Sequence, residues 1–294
     1  MAVSTREHAV FAALDRDRVR RERRFSRWLL ASVGVGLVTL AALLVQVGVE
    51  GIPRLSLDFI TGLPSRFPTR AGAFPAIMGT IWVIGVTAVA TIPIGIGAAI
   101  YLEEYARKGR LARWIEVNVS NLAGVPSITY GLLGLGLFVE GLALRKSILA
   151  AGLTLGLLVL PVVITASREA IRAVPASIRE AALAVGATQW QTIERQVLPA
   201  AVPGIVTGVI LALSRAIGEA APLIVVGALG SVFFAPNSVF DQFTVLPVQI
   251  FNWVRRPQPD FEITAAAGIV VLLGILLVMN GIAIAIRNRY TRTW

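Results

Sequence analysis

Arg215 and Glu219 are the only charges deep within an apolar run of this chain, residues 202–230. A charge at the centre of a bilayer costs about 2.5–3.5 kcal/mol on the insertion scale, so such residues are kept for a purpose. The i, i+4 spacing predicts that both sit on one helix face. Arginine precedes glutamate, the less favourable order for a helical pair. Two apolar residues would also replace a purely stabilising pair at lower cost. The spacing therefore favours a working role over mutual neutralisation. Guanidinium is a planar fork of donors that matches an oxyanion and keeps its charge at any relevant pH. At 1.5 Å per residue, Arg215 lies about 18 Å along a helix from Pro203, which predicts a place near the membrane midplane. Ser214 adjoins it as a third candidate for the same path. Ser127, Thr129 and Tyr130 follow Pro126. Their hydroxyls are expected to satisfy backbone groups beside the proline in preference to lining a path.

Little other chemistry is available. The chain has no cysteine, one histidine (His8) and two lysines (Lys108 and Lys146). Disulfides, thiolate metal sites and cysteine nucleophiles are excluded. A histidine-based triad has no material, and neither a P-loop nor G-x-G-x-x-G occurs. No metal or cofactor is expected on this chain.

The elements that must hold Arg215 follow from composition. Of 294 residues, 56% are hydrophobic and 15% charged, against a net charge of +10. A soluble domain is about 45–50% apolar and about 25% charged. Six stretches approach the roughly 20 apolar residues that cross a bilayer: 28–49, 74–101, 122–139, 148–166, 202–230 and 263–286. The first is too long for a signal peptide and lacks a cleavage site. Nineteen of the 27 basic residues fall on one side of these spans, in 1–27, 107–113, 168–195 and 287–292. Seven fall on the other side, and Arg215 lies between. The positive-inside rule makes the richer side cytoplasmic and puts both termini there. The basic excess thus sets orientation and implies no nucleic acid. The outward loops 50–73 and 231–262 are rich in proline and aromatics, which suits segments at the membrane surface. Gly152-x-x-x-Gly156 and Gly204-x-x-x-Gly208 mark places where helices of a bundle would approach closely.

The cytoplasmic segment 167–201 is more ordered than a connector needs. Pro175 ends the preceding helix. Ser177-x-x-Glu180 predicts a capping box, Gly186 suits a C′ position, and Thr188-x-x-Gln191 predicts a second box whose helix ends near Leu198-Pro199. Ile178, Ala182 and Val185 form a predicted buried stripe. The reading is helix, turn, helix, serving as a docking surface for a cytoplasmic protein or packed on its own bundle. A DNA-binding use is poor, because both ends are tethered to spans and few residues are basic.

Glu180-Ala-Ala-x-x-x-Gly186 followed by Leu198-Pro199 resembles the EAA loop of the permeases of binding-protein-dependent ABC importers. The spacing is identical to the family pattern; Gln196 stands where isoleucine is usual. The resemblance implies that Glu180, Ala181, Ala182, Gly186, Leu198 and Pro199 contact a separate ATPase, which holds the ATP and magnesium. Four stretches look like phosphate-importer permeases: 100–106, 124–131, 198–201 and 213–222, the last containing Ser214-Arg-Ala-Ile-Gly-Glu219. The residues 63–66 and the lone span 28–49 favour the PstA family over the PstC family. In such permeases an Arg and a Glu at these positions are associated with phosphate translocation. Glu219 would accept a hydrogen bond from the P–OH of hydrogen phosphate, a proton that fully ionised sulfate lacks.

The resemblance implies an all-α membrane protein of the MetI-like type I importer class. It would have six transmembrane helices, a core of five and one peripheral N-terminal helix. The expected layout is a cytoplasmic tail 1–27, peripheral helix 28–49, outer loop 50–73, permease core 74–286 with coupling loop 168–199, and tail 287–294. Expected partners are a second permease, two ATPase subunits, an extracytoplasmic phosphate-binding protein and the lipid bilayer. An importer of this architecture for molybdate or sulfate is the rival reading. An ATPase-independent channel fits less well, and a membrane enzyme least.

Overall fold

The computed structural model describes residues 3–106, 109–228 and 232–290, with the side chains of 3–18, 20, 111 and 290 excepted. His8, Arg107, Lys108, Arg292 and the end of the predicted span 202–230 therefore lie outside the described residues or side chains. The chain divides into two units, Met1–Glu50 and Gly51–Trp294.

The first unit is a single helix, α1 (Val3–Gly51). Its apolar part is exposed around the whole circumference, from Trp28 and Leu30 to Val45 and Val49. A helix that is hydrophobic all round has lipid or protein as its solvent.

The second unit is helical among the described residues: α2 (Leu57–Thr61), α3 (Phe74–Ile100), α4 (Arg110–Ala123), α5 (Ser127–Gly134), α6 (Ile148–Arg172), α7 (Ala176–Ala184), α8 (Gln189–Thr192), α9 (Leu198–Ile217), α10 (Ala221–Val226), α11 (Leu246–Val254) and α12 (Asp260–Tyr290). Among the described residues, five helical stretches are long and apolar enough to cross a membrane, and six if a bent pair is taken as one span. Two thirds of the apolar window of α6 is buried, against none of that of α12. So α6 is the axis of the bundle, with α3 and α9 packed along it and α12 outside α9. The glycine pairs explain the close contact. A Cβ on Gly152 would stand 2.6 Å from Val86 Cβ of α3, and one on Gly204 would stand 2.7 Å from Ala170 Cβ of α6. Thr87 adds a hydrogen bond of 3.0 Å across this seam to the Gly152 carbonyl.

Three predicted elements need correction. The span 122–139 is not one helix. Its polypeptide turns at 124–126, and the two helical pieces on either side, Ala112–Ala123 and Ser127–Gly141, meet at 106°. Pro126 has no N–H to give Leu122 its helical bond. The Tyr130 hydroxyl donates to that carbonyl instead, at 2.7 Å, beside a turn bond from the Val125 N–H. The span 202–230 is broken as well. α9 ends at Ile217 and α10 begins at Ala221. Here Pro222 denies a helical bond to the Gly218 carbonyl. Finally, the helix opened at Thr188 does not stop at Leu198-Pro199. It runs unbroken from Gln189 to Ile217. A π-helical turn, Ile193–Val197, in which the Leu198 N–H reaches back to Ile193, carries it past Pro199.

The two loops predicted to face outward do more than lie at a surface. Phe59, Leu246, Trp253 and Phe261 are fully buried in one cluster. Phe59 and Trp253 have ring centroids 5.9 Å apart. Arg54 lies over Phe59 and donates to the carbonyls of Pro68, Thr69 and Ala71. Arg256 lies over Phe261 and donates to Ser65. The two loops thus form a packed cap.

Candidate translocation site and coupling loop

Arg215 occupies the last turn of α9, and Glu219 lies beyond it in the break. The shared helix face predicted from their spacing is therefore replaced by a helix end facing a bend. They still meet: Arg215 Nε is 3.7 Å from Glu219 Oε1, with side chains 47% and 19% exposed. That distance is beyond hydrogen-bond range, so the pair is loose. The Ser214 hydroxyl donates to Asn280 Oδ1 at 2.8 Å, tying α9 to α12. Asn280, an isolated amide in an apolar span, was the signal for this tie.

The two broken spans come together. Gly131 of α5 packs so closely on α10 that an added Cβ would lie 2.8 Å from Pro222 Cα. Tyr130, Ala212, Ala216 and Leu223 share one buried cluster. The bend at 124–126, with Gly124 and Pro126 exposed, thus stands near the bend that holds Glu219. Tyr130 serves the Leu122 carbonyl, as expected of a hydroxyl beside a proline.

The loop after α6 keeps part of its predicted form. Gly186 has φ +86°. Its N–H donates to Leu183 and the Ala187 N–H to Ala182, the paired bonds of a Schellman end. Thr188 and Gln191 form the reciprocal box. The first box does not form: α7 starts at Ala176 with Pro175 as its N-cap and no side-chain cap. Proline fixes the φ there and leaves Ser177 already inside the helix. The stripe is not buried either. Ile178, Ala182 and Val185 line an open groove of about 540 Å³, together with Ala181, Ala187 and Gln191. Val185 is 85% exposed, and Leu183 and Trp190 are also exposed. Glu180 is exposed, Leu198 is half-buried and Pro199 is exposed.

An ion-pair layer at the base of this loop was missed from the sequence. Its acids, Glu103 and Glu104, sit on a π-helical turn, Tyr101–Tyr105, that ends α3. Arg168 and Arg172 of α6 both reach Glu103 at 2.8 Å. Arg168 also reaches Glu116 of α4 at 3.2 Å. Arg179 of α7 pairs with Glu104 at 2.7 Å and donates to the carbonyls of Ile171 and Val174. Gln189 donates to the Glu104 carbonyl at 2.6 Å. The available signal was two adjacent acids on the face that the basic residues dominate.

The model of the family described as binding-protein-dependent transport system inner membrane component matches residues 91–292. The chain belongs to this family of ABC importer permeases. It is 31% identical over 264 residues to the probable ABC transporter permease protein YqgI of Bacillus subtilis (strain 168), covering 86% of this permease and 88% of that protein. It is 38% identical over 231 residues to phosphate transport system permease protein PstA 1 of Mycobacterium tuberculosis (strain ATCC 25618 / H37Rv), covering 78% and 73%. The PstA protein of Haemophilus influenzae is 34% identical over 249 residues, covering 85% and 87%. Among solved structures, a bacterial alginate ABC transporter matches with a TM-score of 0.67 at 17% identity, over 94% of this permease and 97% of that chain. The MetNI methionine ABC transporter matches with a TM-score of 0.61 at 18% identity, over 74% and 97%. These two show the fold. The permease is therefore an all-α, multi-pass inner membrane protein with the MetI-like importer architecture.

Proposed function

We propose that this permease forms half of the translocation pathway of an ATP-driven inorganic phosphate importer. The observation that carries the reading is Arg215. It is a half-exposed guanidinium at the broken end of a membrane helix, only loosely paired with Glu219. Discontinuous helices at mid-membrane are the usual makings of a transporter site, and the fork of Arg215 fits a tetrahedral oxyanion. Relatives named as phosphate transport permeases, at 34–38% identity, support phosphate as that oxyanion.

On this reading a second permease supplies the other half of the path. The cap of residues 52–73 and 232–262 receives phosphate from an extracytoplasmic binding protein. The loop 168–199 lies on the cytoplasmic side, where Glu180, Ala181, Ala182, Gly186, Leu198 and Pro199 meet one of two ATPase subunits. The exposed apolar groove beside Val185 suits such docking. ATP and magnesium belong to the ATPase. The span 28–49 is peripheral to the five-helix core, and the tails 1–27 and 287–294 are cytoplasmic.

The test is the complete complex, with its binding protein, in proteoliposomes. Phosphate should stimulate ATP hydrolysis and accumulate, whereas sulfate and molybdate should do neither. Stimulation by molybdate or sulfate in place of phosphate would overturn the choice of substrate.

A further inference from the structure

α7 contributes no fully buried side chain. What fixes it to the bundle is half-buried Ile178 and a set of polar ties. Arg179 grips Glu104 of α3 and two carbonyls at the end of α6. Just beyond α7, Gln189 grips the Glu104 backbone. A load applied to the exposed groove therefore has two ways out of the loop: along the unbroken helix from Gln189 into α9, and through Glu104 into α3. The receiving turn, Tyr101–Tyr105, is π-helical, a weaker geometry than the α-helix and a common place for bending. Its other acid, Glu103, is held by Arg168 and Arg172; Glu103 and Arg168 are mostly buried and Arg172 is about half exposed. Arg168 also holds Glu116 on α4. α4 ends at the bend 124–126, where Leu122 accepts from Tyr130. Tyr130 packs in the cluster that contains Ala212 and Ala216, on either side of Arg215 along the chain. An unbroken series of contacts thus joins the cytoplasmic loop to the bends beside Arg215.

We propose that Glu103 and Glu104 are coupling residues: the joint through which movement of the loop 168–199 turns α3 and α4 and so reshapes the bends at 124–126 and 218–220. The proposal rests on that loop being the ATPase contact. It gives the acids a positioning role, acting through Arg168, Arg179 and α4, without touching the transported ion.

The complete complex allows a direct test. Glu104→Gln should keep the ATPase bound and hydrolysing within about twofold of the parent, while ions moved per ATP fall by about tenfold, the range of a 1–3 kcal/mol coupling. Because the chain has no cysteine, a Glu104→Cys/Arg179→Cys variant, with cysteine-free partners, can be bridged by a short bismaleimide. The open variant should be uncoupled, and the covalent bridge should restore uptake per ATP. Normal uptake per ATP in Glu104→Gln, or a bridge that restores nothing, overturns the joint. So does loss of the ATPase from Glu104→Gln complexes, which would make the acids scaffold alone. Gly186→Trp separates the two readings. If that change leaves ATPase binding and hydrolysis intact, the docking assignment fails irrespective of the joint.

Discussion

The Arg215–Glu219 contact departs, at the level of single atoms, from a pair built only to neutralise itself. A pair built to neutralise itself would be short, multiply hydrogen-bonded and dry, since removing one partner of a buried pair costs about 3–5 kcal/mol. Here the contact runs through Nε at 3.7 Å and the arginine side chain is 47% exposed. On the proposed reading, the terminal fork is the part of the side chain that meets the ion. A charge-assisted hydrogen bond contributes about 1.5–3 kcal/mol, so Arg215→Gln should lower phosphate uptake about ten- to a hundredfold, with the complex still assembled. Arg215→Lys keeps the charge and loses the fork, and should fall between the two. Uptake in proteoliposomes at matched permease content checks both. Glu219 tests selectivity. If its carboxylate accepts from P–OH, Glu219→Gln should narrow the preference for phosphate over sulfate. Unchanged rates and selectivity in that variant would remove the carboxylate from the account.

At the scale of elements, the bundle follows from small residues set where helices cross. Gly208 meets Ala166 so closely that an added Cβ overlaps it. Gly208→Leu must push α9 off α6. Overpacking of this kind costs about 1–3 kcal/mol, and the variant should lose thermal stability in detergent, whereas Gly36→Leu, with open space around it, should not. The glycine spacing, the end at Gly186 and the box at Thr188 were legible because each depends on neighbours a few residues away. The breaks were less so. Among prolines inside the long apolar runs, Pro93, Pro161 and Pro203 leave their helices continuous. Pro126 and Pro222 do not. The difference lies in the four residues before each: Gly124 and Gly218 precede the breaking prolines, and the others have no glycine there. Glycine weakens a helix by about 1 kcal/mol on top of about 3 for proline. The ion-pair layer was illegible for another reason. Glu103 and Arg168 are brought together only when α3 and α6 pack, a long-range outcome that no local pattern records.

At the scale of the whole molecule, charge and packing define two ends. Glu103, Glu104 and Glu116 bind Arg168, Arg172 and Arg179 at one end of the bundle. The aromatic cap around Trp253 closes the other. α3 starts beside the cap, where Gly79 abuts the Thr244 carbonyl, and ends in the ion-pair layer. α12 starts next to the cap and finishes with Arg287 beside Thr207 of α9. If the basic excess sets orientation as the positive-inside rule requires, the ion-pair end is cytoplasmic and the cap is outside. The lack of cysteine makes this open to direct measurement. Asn237→Cys in the cap should react with a membrane-impermeant maleimide in intact cells. Val185→Cys in the loop 168–199, Arg289→Cys at the end of α12 and Arg24→Cys in the first unit should react only after the membrane is opened. The reverse pattern would place the coupling groove outside, where no ATP-bearing partner could reach it, and the mechanism through Arg179 and Glu104 would fall with the orientation.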